Sequence, residues 1–315
     1  PTGKVIALDT SVVMNQFRAA TPSLSPLAGL FFRTLTFLEH DIKPVFVFDG
    51  KPPKEKTAVV SDTFETVFGL NMPLNTKDCL HLLKLLGVPV IQAPGDAEAL
   101  CAWLVREGTV DAVASEDMDT LPFGGNILIR QLNAKKDSEV AEYSLTKLLE
   151  KLQISHEEFV DLCILLGCDY CDKIPGLGPK KALTLIQKHR TIENVVLHIN
   201  RETHPVPHFW KYKEARKIFL DAPQTVAPEL TWAEPDEEAL VRLLFKVVKE
   251  DRVRRRMEKF RKTRQSKREE RENEKATGGS RQSRMQDFFR VTRKREQPVA
   301  AADPLSSKRK RPKSK

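Results

Sequence analysis

Seven carboxylates stand on five short motifs of this chain. They are Asp9 in VIALDTS, Asp49 in VFVFDGKPP, Asp96 and Glu98 in APGDAEAL, Asp117 and Asp119 in ASEDMDT, and Asp169 in LLGCDY. Most follow an apolar run, after which the sequence breaks at Gly, Pro or a small residue. Such runs read as buried parallel strands, so each acid is expected at a strand's carboxyl end. Open α/β sheets gather their ligand sites at that edge. Acids packed together repel one another unless cations lie between them, and an all-oxygen donor set suits a hard ion such as Mg²⁺. A single Asp after a strand also serves as a turn residue or a helix cap. Five such motifs, three with further specific sequence around the acid, point past that role to a two-metal nuclease site.

The elements that would position these acids can be read from the apolar pattern. Residues 4–8 and 43–48 read as strands, with a helix from about 25 to 40 between them. An amphipathic helix around 77–87 precedes a strand at 89–92, and the helix after Asp96 is expected to end at Gly108 as its C-cap. Strands at 111–115 and 126–130 continue a β-α-β alternation, which implies a mostly parallel sheet flanked by helices. From about 144 the pattern turns helical. Between two of these helices lies IPGLGPKKA (174–182), where Gly176 and Gly178 permit a tight turn and Pro179 starts the next helix. Backbone N–H groups at that helix start, with Lys180, Lys181, Lys188 and Arg190 nearby, suit a DNA phosphate.

Charge is divided unevenly. Residues 1–250 hold 28 Lys and Arg against 34 Asp and Glu, whereas residues 251–315 hold 24 against 9. A basic tail on an acidic core suits a polyanionic partner, nucleic acid first. No apolar run approaches a membrane span, and no secretory signal is visible before the first strand. The first residue is Pro1, with no initiator Met, as processing or a fragment would leave it. Five cysteines (79, 101, 163, 168 and 171) are an odd count that argues for reduced thiols inside a cell. Cys168 and Cys171 form a C-x-x-C, but it encloses Asp169, and no second pair or spaced His completes a zinc set.

The division drawn from composition is therefore a core over 1–250 and a basic tail over 251–315. Residues 250–275 could form a highly charged helix or remain disordered, and beyond Gly278 the composition is that of a flexible tail. Two motifs interrupt the tail. Gln282, Met285, Phe288 and Phe289 fall in the pattern Q-x-x-M-x-x-F-F, where one helical turn would group Met and the aromatic pair as an apolar plug for a partner. The run KRKRPK (308–313) has the form of a nuclear-import signal.

Taken together, FVFDGKPP, the DAE acid pair, SEDMD, DLCILLGCDYC, IPGLGPKKA and the Q-x-x-M-x-x-F-F tail resemble the eukaryotic flap endonucleases over nearly the whole chain. The resemblance implies a PIN-like α/β core with a helix-two-turn-helix DNA-binding element and a disordered C-terminal tail. It implies a structure-specific 5′ nuclease for branched or flap DNA in replication and repair. Two Mg²⁺ ions, a K⁺ site at the hairpin, docking on the replication sliding clamp and a monomeric state come with it. The implied location is the nucleus, with the nucleolus and mitochondria as further compartments. By the same carry-over Asp9, Asp49, Asp96 and Glu98 match the first carboxylate group, and Asp117, Asp119 and Asp169 the second. Lys56 matches a lysine at the base of the family's arch that contacts the scissile phosphate, and Arg33 joins the hairpin residues as a DNA contact. No Ser, Cys or His nucleophile is needed.

The departures from the family pattern bear on activity. The glycine-led segment that precedes the family's first strand is absent, and the stretch RAATPSLSPLAGLF is shorter than the family's junction wedge. Asn15 occupies the position of a stacking tyrosine, a contact of ~1–3 kcal/mol. Position 96 is Asp where the family has Glu. Between Lys56 and Lys77 there is no Lys or Arg, and the family's second arch cation falls near Thr63. These losses motivate a rival expectation, a non-catalytic DNA- and clamp-binding competitor of the active nuclease. An open cleft under a short arch would alternatively favour unbranched single-stranded ends.

Overall fold

The structure is a computed structural model that describes residues 3–20, 25–50, 76–132, 140–221, 223 and 225–276. A six-stranded sheet organises it. β1 (Val5–Asp9) lies at the centre, with β2 (Lys43–Phe48) and β3 (Val90–Gln92) on one side. On the other side lie β4 (Ala112–Ala114), β5 (Ile127–Arg130) and β6 (Ala141–Ser144). All neighbours are parallel except β5 and β6. The chain builds outward from β1 to β3 and then returns to place β4 against β1. That reversal makes a switch point at the carboxyl ends of β1 and β4. The expected mostly parallel α/β sheet is thus present. The antiparallel β6 was not legible: AEYS is four residues long and runs directly into a helix that dominates the pattern.

Both faces of the sheet are covered, and the alternation of side chains shows how. Ala7, Val45, Val47, Val113 and Leu128 point to one core, while Ile6, Leu8, Phe46, Phe48, Ala114 and Ile129 point to the other. The second face is packed by α1 (Thr10–Ala20), α2 (Pro26–Glu39) and α3 (Thr76–Leu85). Helix α1 lies where no helix was expected; its TSVVMNQF run is short, and its pattern merges with the strand before it. The first face is packed by α4 (Ala97–Arg106), α5 (Leu145–Leu152), α6 (His156–Leu166), α7 (Pro179–His189), α8 (Ile192–His198) and α9 (Tyr212–Leu220). Helix α6 begins with a capping box between Ser155 and Glu158.

The last two helices among the described residues, α10 (Glu237–Leu244) and α11 (Glu250–Ala276), return to the second face. Residues 251–276, grouped with the basic tail on charge alone, are therefore part of the folded body. Val253, Met257 and Phe260 are 2% exposed or less and lie on one stripe at helical spacing. Burying each contributes ~1.5–3 kcal/mol, well above the ~0–1 kcal/mol of an exposed ion pair. Surrounding ion pairs fix the register: Arg256 to Glu39 in a nearly buried pair, Arg261 to Glu237 at 2.6 Å, and Arg271 to Asp41 at 2.8 Å. Residues 2–280 form one unit, and the other, Arg281–Lys315 with Pro1, lies outside the described residues.

Candidate metal and nucleic-acid site

Four of the seven acids sit at one corner of the sheet. Asp9 is the last residue of β1, and Asp49 directly follows β2, its neighbour. Asp96 and Glu98 open α4, reached from β3 by a four-residue turn. Asp117 and Asp119 follow β4, whose Ala114 is in register with Leu8. Asp169 departs from the strand-end expectation, because the apolar run before it is the helix α6. The acids range from floor to rim. Asp9 and Asp96 are buried, Glu98, Asp117 and Asp119 are half-buried, and Asp49 and Asp169 are exposed.

Short polar contacts hold the acids in place. Asp9 accepts the backbone N–H of Ser11 at 2.8 Å with Oδ1 and so caps α1. Asp49 accepts the Ala97 N–H at 2.9 Å with Oδ1 and the Ser11 hydroxyl with Oδ2. Asp96, although at the N-cap of α4, makes no side-chain capping bond; its Oδ2 accepts the Tyr170 phenol at 2.5 Å. In the second group the Asp117 N–H donates to Ser115 Oγ, and Asp117 Oδ1 accepts the Asp119 N–H, both at 3.0 Å. Gly50 permits the close approach of two of these turns. It donates to Gly95 O at 2.7 Å, and a Cβ there would lie 2.0 Å from Ala93 O.

The electrostatics record how strongly the acids oppose one another. Burial first, and the Asp49 charge second, push the Asp9 carboxyl up to about 6. Glu98 lies close enough to Asp9 to offset a small part of that rise. Burial, then the charges of Asp9, Glu98 and Asp49, raise the Cys101 thiol well above its usual range. Tyr170 is likewise raised, by burial and then by Asp96, with Glu98 and Asp119 adding to it. Of the second carboxylate group, Asp119 is therefore near enough to act on the phenol that Asp96 binds. A hard divalent cation would relieve this repulsion, so the all-oxygen donor set fits Mg²⁺. Among the described residues, no three of these side chains already form a closed coordination cluster.

The hairpin lies between α6 and α7. Gly176 has φ +72°, which explains its glycine, and a Cβ would press on Thr203 O at 3.2 Å. Gly178 has an ordinary φ of −84° at the N-cap of α7, and a Cβ there would meet nothing within 4 Å. Its glycine leaves open space at an exposed helix start. Lys180 and Lys181 follow in the first turn of α7 and are exposed. Lys181 Nζ sits 2.6 Å from Nε2 of the buried His204, whose Nδ1 faces Pro175 O at 3.2 Å. Arg33 does not join this surface. It is buried in α2, donates to Gln16 Oε1 and Leu132 O at 2.7 Å each, and lies over the rings of Phe17 and Phe37. Arg33 therefore works inside the fold rather than on an open DNA face. Lys56 and Gln282, Met285, Phe288 and Phe289 lie outside the described residues.

Residues 2–63 match the family described as XPG N-terminal domain, and residues 87–169 match the XPG I-region. A probable flap endonuclease 1 homolog from Danio rerio is 60% identical, over 98% of this chain and 91% of its own length. The catalytic core of Rad2 in complex with DNA substrate superposes with a TM-score of 0.68 at 23% identity, covering 81% of this chain and 93% of that one. Flap endonuclease-1 from Methanococcus jannaschii superposes at 0.67 and 24% identity, covering 84% and 94%. These two structural likenesses are of fold.

Proposed function

Because this chain belongs to the flap endonuclease family, we propose that it is a structure-specific 5′ nuclease that hydrolyses phosphodiesters in branched or flap DNA. The observation that carries this reading is the crowding of Asp9, Asp49, Asp96 and Glu98 at the carboxyl ends of β1 and β2, where Asp9 is pushed up to about 6. Asp9, Asp49, Asp96 and Glu98 would hold one Mg²⁺, and Asp117, Asp119 and Asp169 a second. When bound, such a pair supplies an activated water and stabilises the departing oxygen. The protein's own part is to fix carboxylate oxygens by backbone and side-chain bonds before substrate arrives, which limits reorganisation during the reaction.

Lys56 is assigned to the scissile phosphate, where its charge offsets that growing in the transition state. Gly176, Gly178, Lys180 and Lys181 are assigned to the DNA backbone away from the cut, with K⁺ proposed at the hairpin. Gln282, Met285, Phe288 and Phe289 are assigned to the sliding clamp, and KRKRPK at 308–313 to nuclear import. The protein is proposed to act as a monomer. Support for flap DNA as substrate comes from the 60% identical relative, described as a probable flap endonuclease 1 homolog.

The test is cleavage of a labelled double-flap DNA with Mg²⁺, beside Asp117→Ala and Asp169→Ala proteins. Metal-dependent cutting at the junction, lost in both variants, is expected. DNA binding without any cutting would overturn the nuclease reading and favour the competitor, which the exposed Asn15 on α1 in place of a stacking tyrosine motivates.

A further inference from the structure

Tyr170 is a large polar side chain with no part in the proposed chemistry, yet it is 1% exposed and buried beside the acids. Its ring is clamped edge-on by Phe219 at 5.2 Å and by Phe123 at 6.2 Å. The backbone on either side is pinned as well, through the antiparallel bridge between Cys168 and Cys171. The phenol thus has a fixed position, and it points at Asp96 Oδ2 over 2.5 Å. That distance is typical of a hydroxyl donating to a charged carboxylate, among the stronger hydrogen bonds in proteins.

Two further facts separate this bond from ordinary core satisfaction. Asp96 stands at an N-cap, where its carboxylate would normally turn back on the helix, and it makes no such bond. The N–H of Ala97 is taken instead by Asp49 from across the site. Asp96 is therefore released from capping and held by Tyr170. Tyr170 also directly follows Asp169 in sequence, so one rigid residue ties the first carboxylate group to the second.

We infer that Tyr170 is a positioning residue for the cation site: its O–H fixes one oxygen of Asp96, and with it the direction in which the other is presented. The inference rests on the metal-site reading above. Removing an outer partner of a ligating group typically lowers metal affinity 10–100-fold.

The test uses the full chain and thermal unfolding titrated with Mg²⁺, and with Ca²⁺ as a second divalent ion, so no turnover is involved. Tyr170→Phe keeps the ring and its packing and removes only the donor. The divalent concentration giving half of the stabilisation should rise roughly 10-fold in Tyr170→Phe. In an Asp96→Asn background, where the charged acceptor is already gone, Tyr170→Phe should change that midpoint by no more than about two-fold, because the two groups act as one unit. A wild-type protein stabilised by divalent ions whose midpoint is unchanged in Tyr170→Phe would overturn this inference alone. Equal loss of melting temperature with and without metal, at an unchanged midpoint, would do the same and leave Tyr170 a core residue. A wild-type protein that divalent ions do not stabilise would overturn the metal site itself and this inference with it.

Discussion

Replacing Gly50 by alanine should disable the site without touching a carboxylate. Gly50 follows Asp49 and lies against the turn that carries Asp96. Two backbone bonds draw the segments together, Gly50 N–H to Gly95 O at 2.7 Å and Ala93 N–H to Phe48 O at 2.9 Å. An alanine Cβ would stand 2.0 Å from Ala93 O and 2.7 Å from the Pro94 carbonyl carbon. Both are backbone atoms, so no side-chain rotation relieves the clash. To reach even 3.0 Å from Ala93 O the two segments must part by at least 1.0 Å. Overpacking of that kind costs ~1–3 kcal/mol of stability.

The larger effect falls on function, because the same separation breaks the 2.9 Å bond between Asp49 and Ala97 N–H. Asp49 then moves away from Asp96 and Glu98. Misplacing reacting groups by about an ångström costs on the order of 10²-fold in rate, equivalent to ~2.7 kcal/mol of barrier. The assay is single-turnover cleavage of a double-flap DNA at saturating Mg²⁺, at a temperature where circular dichroism shows the variant folded. Cleavage by Gly50→Ala within three-fold of wild type would refute the reasoning. It would mean that the acid corner tolerates movement that the close approach at Gly50 was taken to prevent.

Four other outcomes follow from the packing. Arg216 forms paired bonds to Asp161 (2.6 and 2.8 Å) and Glu193 (2.9 and 3.0 Å), and Asp161 is 5% exposed. Arg216→Met should cost ~3–5 kcal/mol in urea unfolding, with part recovered by adding Asp161→Asn, since a buried charge without its partner is the damaging element. Glu193 is lowered to about 2, chiefly by its bonds to Arg216; its contribution is fully present above pH 4.5 and lost as pH falls through about 2. Glu193→Gln should therefore lower stability by less than ~1 kcal/mol at pH 7, given its exposure, and the difference should vanish on acidification in pH-resolved melts. Lysine only donates, so His204 Nε2 accepts from Lys181 while Nδ1–H donates to Pro175 O. His204→Ala should weaken DNA binding several-fold with an unchanged salt slope, whereas Lys181→Ala should reduce the slope by about one, both read by fluorescence anisotropy. Removing 277–315, which carries 12 Lys and Arg against 3 Asp and Glu, should flatten the salt dependence of DNA binding and leave the melting temperature nearly unchanged. Removing 251–315 instead strips Val253, Met257 and Phe260 from the core, a loss comparable to a domain's whole stability of ~5–15 kcal/mol; calorimetry distinguishes the two cuts.

Those two cut points show what composition could and could not convey. Strands that bury both faces announce themselves as continuous apolar runs, so β2 was legible at its bounds and β1 one residue early, and the β-α-β order followed. Helix α11 has the composition of a solvated tail, because a single stripe of three apolar residues holds it to the body while every other face is charged. Arg33 entered as a DNA contact only through the family resemblance, and nothing in its local sequence announced that it is buried. Its burial depends on Gln16, the Leu132 carbonyl and two phenylalanines from α1 and α2. Tyr170 and Gly50 were present in quoted motifs, but their roles exist only between segments far apart in sequence. Tyr170 meets a residue 74 positions away, a distance over which no local spacing rule operates.

The acids bear on a choice that their sequence left open. An Asp after a strand can cap a helix or, as proposed for these, bind a cation, and the capping bonds leave the proposed role open to them. Asp9 caps α1 with Oδ1, Asp117 closes a turn with Oδ1, and Asp49 supplies the cap that Asp96 does not. Each bond uses an N–H that the backbone must satisfy anyway, so local folding orients the carboxylate as a by-product. Asp96 is the exception, because its orienting partner is a distant phenol. Asp9, Asp49 and Asp117 should therefore keep their orientation through local perturbations that leave α1, α4 and the 115–119 turn intact. Asp96 depends on the packing of Phe123 and Phe219 around Tyr170. Phe219→Ala, in α9 and packed edge-on against Tyr170 rather than part of either carboxylate group, should accordingly raise the divalent midpoint together with its cost in stability. A lowered melting temperature with an unchanged midpoint would show that Asp96 holds its place without that support.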